Sequence, residues 1–72
     1  MDTKSVSGLV AWSRAAGLVV SITKGGHTKI ETPAGPVFMP ATAGDRRAGR
    51  NARSFLRRKL REAGWPEEEL PP

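Results

Sequence analysis

The spacing of the hydrophobic residues changes twice along this chain, and the change limits the folds that the sequence can adopt. In residues 3–16 they recur at intervals of three and four, the period of an amphipathic helix. In residues 18–24 and 27–32 they alternate with polar residues, as in a strand, and residues 37–39 add a short third strand. Helical spacing returns in residues 45–63. The sequence therefore predicts the order α-β-β-β-α.

Turn-forming and capping residues separate the first four of these elements. Thr3 or Ser5 can cap the start of the first helix, and Gly17 suits its left-handed C-terminal position. Gly25-Gly26 favours a two-residue hairpin turn between the first two strands. The segment 33–36, Pro-Ala-Gly-Pro, is predicted to form the next turn, and Phe38 on the short third strand after it is expected to be a core residue.

The second predicted helix has a clear start and a clear end. Asp45 is a good N-cap, although Gly49 weakens the first turn by about 1 kcal/mol relative to alanine, so the helix can begin one turn later. Gly64 fits the position after the helix, where Trp65 can contact Leu60 in a Schellman motif. The apolar stripe of this helix comprises Ala48, Ala52, Phe55, Leu56, Leu60 and Ala63.

Three short antiparallel strands cannot bury both of their faces without other elements. Two helices covering one face of the sheet give the simplest α+β solution and leave the other face open to solvent. This arrangement resembles the double-stranded-RNA-binding domain. We expect one domain over residues 1–65 and an acidic, proline-ended tail over residues 66–72. Trp12 and Trp65 are expected to pack rather than to stack on bases.

Composition excludes several classes of function. The 72 residues include no cysteine and one histidine, so the sequence predicts no disulfide, no metal site and no cofactor. No apolar run approaches the roughly 20 residues of a membrane span, and the start lacks the pattern of a signal peptide. We therefore expect a cytoplasmic protein. Its net charge of +5 favours a polyanionic partner, of which nucleic acid is the commonest.

The basic residues are concentrated in the second predicted helix, where residues 46–61 contain no acid. They are Arg46, Arg47, Arg50, Arg53, Arg57, Arg58, Lys59 and Arg61. Four of the arginines follow one another at intervals of four, three and four, so they form a ridge that can follow phosphates, and Asn51 lies among them. The alternative is a solvated face that serves only solubility. Glu67 to Glu69 then form either a solvated tail or a mask over the basic face.

His27 is the candidate catalytic residue. Its imidazole can exchange protons near neutral pH, and Lys24 and Lys29 lie close to it in sequence, where they can hold a phosphate. On RNA the 2′-hydroxyl supplies the nucleophile, so one general base and cationic side chains can suffice without a metal. The alternative is an exposed strand residue with no catalytic role.

The segment Lys24-Gly25-Gly26-His27-Thr28-Lys29-Ile30 resembles the histidine strand of HicA-type toxins, and the order of elements over residues 6–65 is similar. This resemblance implies a fold like the double-stranded-RNA-binding domain, metal-independent RNA cleavage that depends on His27, and neutralisation by a HicB-type antitoxin. Two positions differ from the family pattern. Gly26 stands where serine is usual, and Thr28 stands where many members have a second histidine.

A second likeness is to small HicA-like proteins of actinobacteria and their phages. The residues that carry it are Thr42, Asp45, Arg47, Asn51 and the segment Leu60 to Gly64. The expected function is therefore binding of nucleic acid, RNA more than DNA, with histidine-dependent RNA cleavage. Two other functions stay open on the same fold: a non-catalytic DNA- or RNA-binding module, and a phage protein that binds an acidic host partner.

Overall fold

The computed structural model describes residues 3–39 and 46–72, with only the backbone described at Arg46 and Arg47. The two helices are α1, Val6–Ala15, and α2, Arg46–Glu62; the strands are β1, Val19–Ile22, β2, Thr28–Thr32, and β3, Gly35–Met39; a short 3₁₀ helix spans Glu67–Glu69. The predicted α+β order α-β-β-β-α is confirmed. Thr42 and the expected N-cap Asp45 lie outside the described residues.

The three strands form one antiparallel sheet in the order β1-β2-β3. The strand pairing places two rows of side chains on the face that the helices cover: Val20, Ile30 and Val37 in one row, and Ile22, Thr28 and Met39 in the other. The opposite face carries Ser21, Lys29 and Phe38 in its central row. This outer face is open to solvent, as the sequence predicts.

The core lies between the inner face of the sheet and the two helices. Its buried apolar residues are Val6, Leu9, Ile30, Val37, Met39, Ala52, Leu56, Leu60 and Leu70. Ser13 is buried among them, and its hydroxyl donates a hydrogen bond to the carbonyl of Leu9 at 2.8 Å, so its polar group is satisfied. Leu70, from the tail, is the member that the helical and strand periods do not predict.

The prediction that placed Phe38 in the core is wrong, and membership of the apolar stripe of α2 does not bury Phe55. Phe38 is 58% exposed, because strand alternation turns its neighbours Val37 and Met39 inward and therefore turns Phe38 outward. Phe55 is 48% exposed, since it lies at the edge of the α2 stripe, about 100° around the helix from buried Leu56. Ile22 shares a face of the sheet with Val20 but is 65% exposed, because it lies at the end of the edge strand β1.

Both helices end in the Schellman motif. In α2 the Trp65 amide donates to the Leu60 carbonyl at 3.0 Å and the Gly64 amide to the Arg61 carbonyl at 2.9 Å, and Gly64 has φ +91°. Gly17 closes α1 in the same way, with φ +85°. Ser5 is the N-cap of α1, where its hydroxyl accepts from the Gly8 amide at 3.1 Å. These ends agree with the predicted ones.

Candidate nucleic-acid interface

The loop between β1 and β2 carries His27. Two backbone hydrogen bonds close the loop. The Thr23 amide donates to the His27 carbonyl at 2.8 Å, and the Gly26 amide donates to the Thr23 carbonyl at 2.9 Å. Gly26 has φ +82°, a left-handed backbone conformation that residues with a side chain rarely adopt. The loop is therefore a three-residue turn with a left-handed glycine at its end, in place of the expected two-residue turn. The first residue of the loop is Lys24, whose side chain is exposed.

The imidazole of His27 lies over this glycine loop and is exposed to solvent. A Cβ atom at Gly25 would lie 3.3 Å from Nδ1 of His27, so the missing side chain leaves room for the ring. The His27 amide donates to the Thr23 hydroxyl at 3.2 Å, which fixes the backbone beneath the ring. The sequence thus presents its one imidazole on a short, closed loop.

Lys29 lies on the outer face of the sheet, opposite the helices. Its Nζ is 3.5 Å from the Glu31 carboxylate, two residues along the same face of β2. The sequence analysis did not consider this ion pair, although the spacing of two within a strand is its signal. The sheet therefore separates Lys29 from the arginines of α2, which lie on the other side.

The direction of α2 brings its first turns to the end of the molecule that holds the His27 loop. A Cβ atom added at Gly35 would lie 3.6 Å from Nζ of Lys59. The last turns of α2 therefore lie beside the start of β3. The His27 loop is at the opposite end of the sheet, beyond the row of Thr28 and Met39. Arg50, near the start of α2, therefore lies toward the same end of the molecule as His27.

The predicted nucleic-acid-binding residues of α2 whose side chains are described fall into two groups. Arg50, Asn51 and Arg58 have exposed side chains, and within the described part of the chain no carboxylate forms an ion pair with Arg50 or Arg58. Arg53 and Arg57 are half-buried. The side chains of Arg46 and Arg47 lie outside the described residues. We call the exposed group, Arg50, Asn51 and Arg58, the open basic face.

The tail covers Arg57 and Arg61, two arginines of α2 beside this face. Arg57 Nη2 and Arg61 Nη2 each lie 2.7 Å from the same oxygen of Glu67, Oε1, and Arg61 Nε lies 2.9 Å from Oε2. The hydrogen bond from Arg61, with the charges of both guanidinium groups, holds the pKa of the Glu67 carboxyl below its ordinary value. The same hydrogen bond raises the pKa of the Arg61 guanidinium.

Further contacts bind the tail to α2 beyond Glu67. Arg57 Nη1 donates to the Pro71 carbonyl at 2.7 Å, and Leu70 and Pro71 are buried. Arg53 Nη1 lies 3.4 Å from Pro72 O, which also accepts a hydrogen bond from Thr3. The two alternatives for the three glutamates were a solvated tail and a mask over the basic face. Glu67 covers two arginines of α2, whereas Glu68 and Glu69 have exposed side chains. Sequence analysis did not predict that Leu70 and Pro71 anchor the tail; Leu70, an apolar residue in a polar tail, was the signal.

Trp12 and Trp65 line a groove of about 390 Å³ on another part of the surface, together with Ala15, Ala16 and Glu69. Their ring centroids are 6.5 Å apart and their planes are inclined by 53°. A base stacked on both rings would need nearly parallel planes, so this pair does not form a stacking sandwich. The tilted contact is an ordinary packing arrangement of aromatic rings.

Comparison with known proteins identifies no relative. The chain matches no family model, no curated protein and no solved structure. The resemblance to HicA-type toxins therefore depends on the residues quoted above and stays a prediction. Within residues 3–39 and 46–72, no helix combines the length and the apolar character needed to cross a membrane. The same residues bring together no three His, Cys, Asp or Glu side chains that could hold a metal ion.

Proposed function

We propose that this protein binds nucleic acid, RNA in preference to DNA, through the open basic face of α2. The observation that carries the proposal is the exposure of Arg50 and Arg58, which form no ion pair with any described carboxylate, on a helix whose first sixteen residues contain no acid. A face that served only solubility would be expected to mix both signs of charge. Arginine side chains placed in this way bind phosphate oxygens and displace the counterions that surround them.

The spacing of the two arginines suits an extended phosphate backbone. Arg50 and Arg58 are eight residues apart, which is about 12 Å along a helix. Phosphates of one strand follow one another at about 3.4 Å along the axis of a duplex, so the two side chains reach phosphates of different nucleotides. Asn51, between them, can donate to a phosphate or a 2′-hydroxyl. The 2′-hydroxyl is the group that distinguishes RNA from DNA.

Charge-removing variants test the binding proposal. Arg50→Gln and Arg58→Gln should each weaken binding to a short RNA and lower the slope of log K against log salt by about 0.7 to 0.9. Arg14→Gln is the matched control, because Arg14 is an exposed arginine near the end of α1 and its loss changes the net charge equally. Fluorescence anisotropy at several salt concentrations gives both quantities. Equal slopes in all three variants, or no binding by wild type at low salt, would refute the proposal.

A second candidate function is RNA cleavage by His27. Two observations favour it: the ring of His27 is exposed, and it lies toward the same end of the molecule as Arg50. As a general base, His27 would take the proton of a 2′-hydroxyl, whose oxygen would attack the adjacent phosphorus. The bond from phosphorus to the 5′ oxygen would break, water would protonate the leaving 5′ oxygen, and a 2′,3′-cyclic phosphate would remain. As a general acid, the imidazole would instead protonate the leaving 5′ oxygen. A HicB-type antitoxin is the partner that this candidate implies.

The His27→Ala variant tests cleavage separately from binding. General acid–base catalysis contributes about 100- to 10,000-fold, so this variant should lose at least about 100-fold in the rate of RNA cleavage measured in EDTA. Its affinity for RNA should stay within about twofold of wild type, because the arginines of α2 are unchanged. Growth arrest and RNA decay on induced expression should likewise require His27. Cleavage at the same rate in both proteins, or in neither, would remove this candidate and leave the binding proposal standing.

A further inference from the structure

We propose that Arg57 and Arg61 form a phosphate-binding site that Glu67 occupies in this structure, so that the tail competes with nucleic acid for these two arginines. This inference rests on the proposed function and extends it to two arginines outside the open basic face. It assigns Glu67 the role of an internal substitute for a phosphate group.

The geometry of the contact is that of an oxyanion site. Two guanidinium groups converge on one oxygen of Glu67, each at 2.7 Å, and Arg61 also donates from Nε to the second oxygen at 2.9 Å. Arg61 therefore binds the carboxylate in the bidentate manner in which arginine also binds phosphate. A phosphate offers at least two such oxygens and can accept the same donors without a change in the position of α2.

The contact is exposed enough to exchange. The side chains of Arg61 and Glu67 are 50% and 61% exposed, and ion pairs in this setting contribute little to stability because water screens them. The tail has a separate anchor in Leu70 and Pro71, which are both buried. Glu67 can therefore rotate away from the arginines while the rest of the tail stays in place.

Release of Glu67 would change the charge that α2 presents. With Glu67 bound, the two arginines and the carboxylate carry a net charge of +1, and without it the site carries +2. Arg57 and Arg61 lie seven and eleven residues after Arg50, so they continue its side of the helix by two and three turns. Nucleic acid that displaced Glu67 would contact a longer stretch of α2 than the open basic face provides.

Two neighbouring glutamates provide a matched pair of variants. Glu67→Gln removes the carboxylate charge from the site, whereas Glu68→Gln removes the same charge from an exposed residue that forms no ion pair with the described side chains. We expect Glu67→Gln to bind RNA about tenfold more tightly than wild type, with a salt slope steeper by about 0.7 to 1.8, equivalent to one or two more phosphate contacts. Glu68→Gln should tighten binding by less than about twofold and leave the slope unchanged.

Three outcomes separate the two proposals. Equal affinities and slopes for Glu67→Gln and Glu68→Gln, with wild type binding RNA, would overturn the inference and leave the proposed function in place. No binding by any of the three proteins at low salt would overturn the proposed function. The expected difference between the two variants would support both. Thermal melting of each variant verifies that the fold is retained.

Inorganic phosphate gives a second test that needs no RNA. NMR signals of the arginine side-chain Nε–H groups follow the individual guanidinium groups during a phosphate titration. We expect the Arg61 signal to shift and saturate at a lower phosphate concentration in Glu67→Gln than in wild type, while the Arg14 signal stays unchanged. Shifts of equal size at Arg14 and Arg61, or identical titrations of the two proteins, would overturn the inference.

Discussion

At the scale of the residue, Gly49 shows how the absence of one side chain determines the packing of two helices. Helix propensity alone predicts a weakened first turn and a later start for α2, but the helix begins at Arg46. Gly49 is buried, and a Cβ atom there would collide with the carbonyl oxygen of Lys4 and lie 3.0 Å from the Cα atom of Ser5. The glycine therefore permits the start of α1 to cross α2 at close range.

Gly49→Ala tests this close approach. At an open helical position the change would stabilise the protein by up to about 1 kcal/mol, because alanine favours the helix. Here the methyl group meets backbone atoms, so we expect destabilisation of about 1 to 3 kcal/mol, typical of overpacking. Urea unfolding measures the difference, with Ser54→Ala as the control, since Ser54 is exposed on the same helix. Stabilisation of both variants alike would contradict the predicted contact.

At the scale of the element, the parts of the fold that local sequence determines were predictable. The Schellman end of α2 follows from Gly64 and the apolar residue after it, and β1 and β2 follow from their alternation. The third strand begins at Gly35, inside the segment predicted as a turn, because Gly35 and Pro36 pair with β2. The face of Phe38 was misjudged because a three-residue strand pattern has no register without its neighbours. The pairing of Phe38 with Lys29 on the outer face supplies that register.

In the candidate site, too, the features set by local sequence were predictable and those set by long-range contacts were not. The arginine ridge and its one-sided charge follow from helical periodicity, so the sequence predicts them directly. The contact of Arg61 with Glu67 crosses the end of α2 and depends on where the chain turns after Gly64. Periodicity stops at that turn, and long-range contacts, among them the burial of Leu70 against the core and the hydrogen bond from Arg57 to the Pro71 carbonyl, fix the return of the tail. The extent of the open basic face was therefore not predictable.

At the scale of the whole molecule, the tail contributes both to the core and to the charge of the surface. A chain of this length buries only about 60% of the surface that its unfolded form exposes, so one additional buried leucine is a substantial part of its core. Leu70 supplies that side chain, and Glu67 neutralises part of the ridge above it. Stability and the area available to nucleic acid are therefore linked through the same seven residues, 66–72.

The depressed pKa of Glu67 makes this link dependent on pH. Because its carboxyl binds protons less readily in the folded protein than in the unfolded chain, its contribution to stability is complete above the ordinary glutamate pKa of about 4.3. That contribution is lost as the pH falls through the lower pKa of the folded state, when the carboxylate that Arg57 and Arg61 bind is protonated. We expect wild type to melt at a higher temperature than Glu67→Gln at pH 7, with the difference decreasing below about pH 4. Melting curves of both proteins between pH 7 and pH 3 measure it, and Glu68→Gln should follow wild type throughout. A constant difference across this range would show that Glu67 stabilises the fold by something other than its charge.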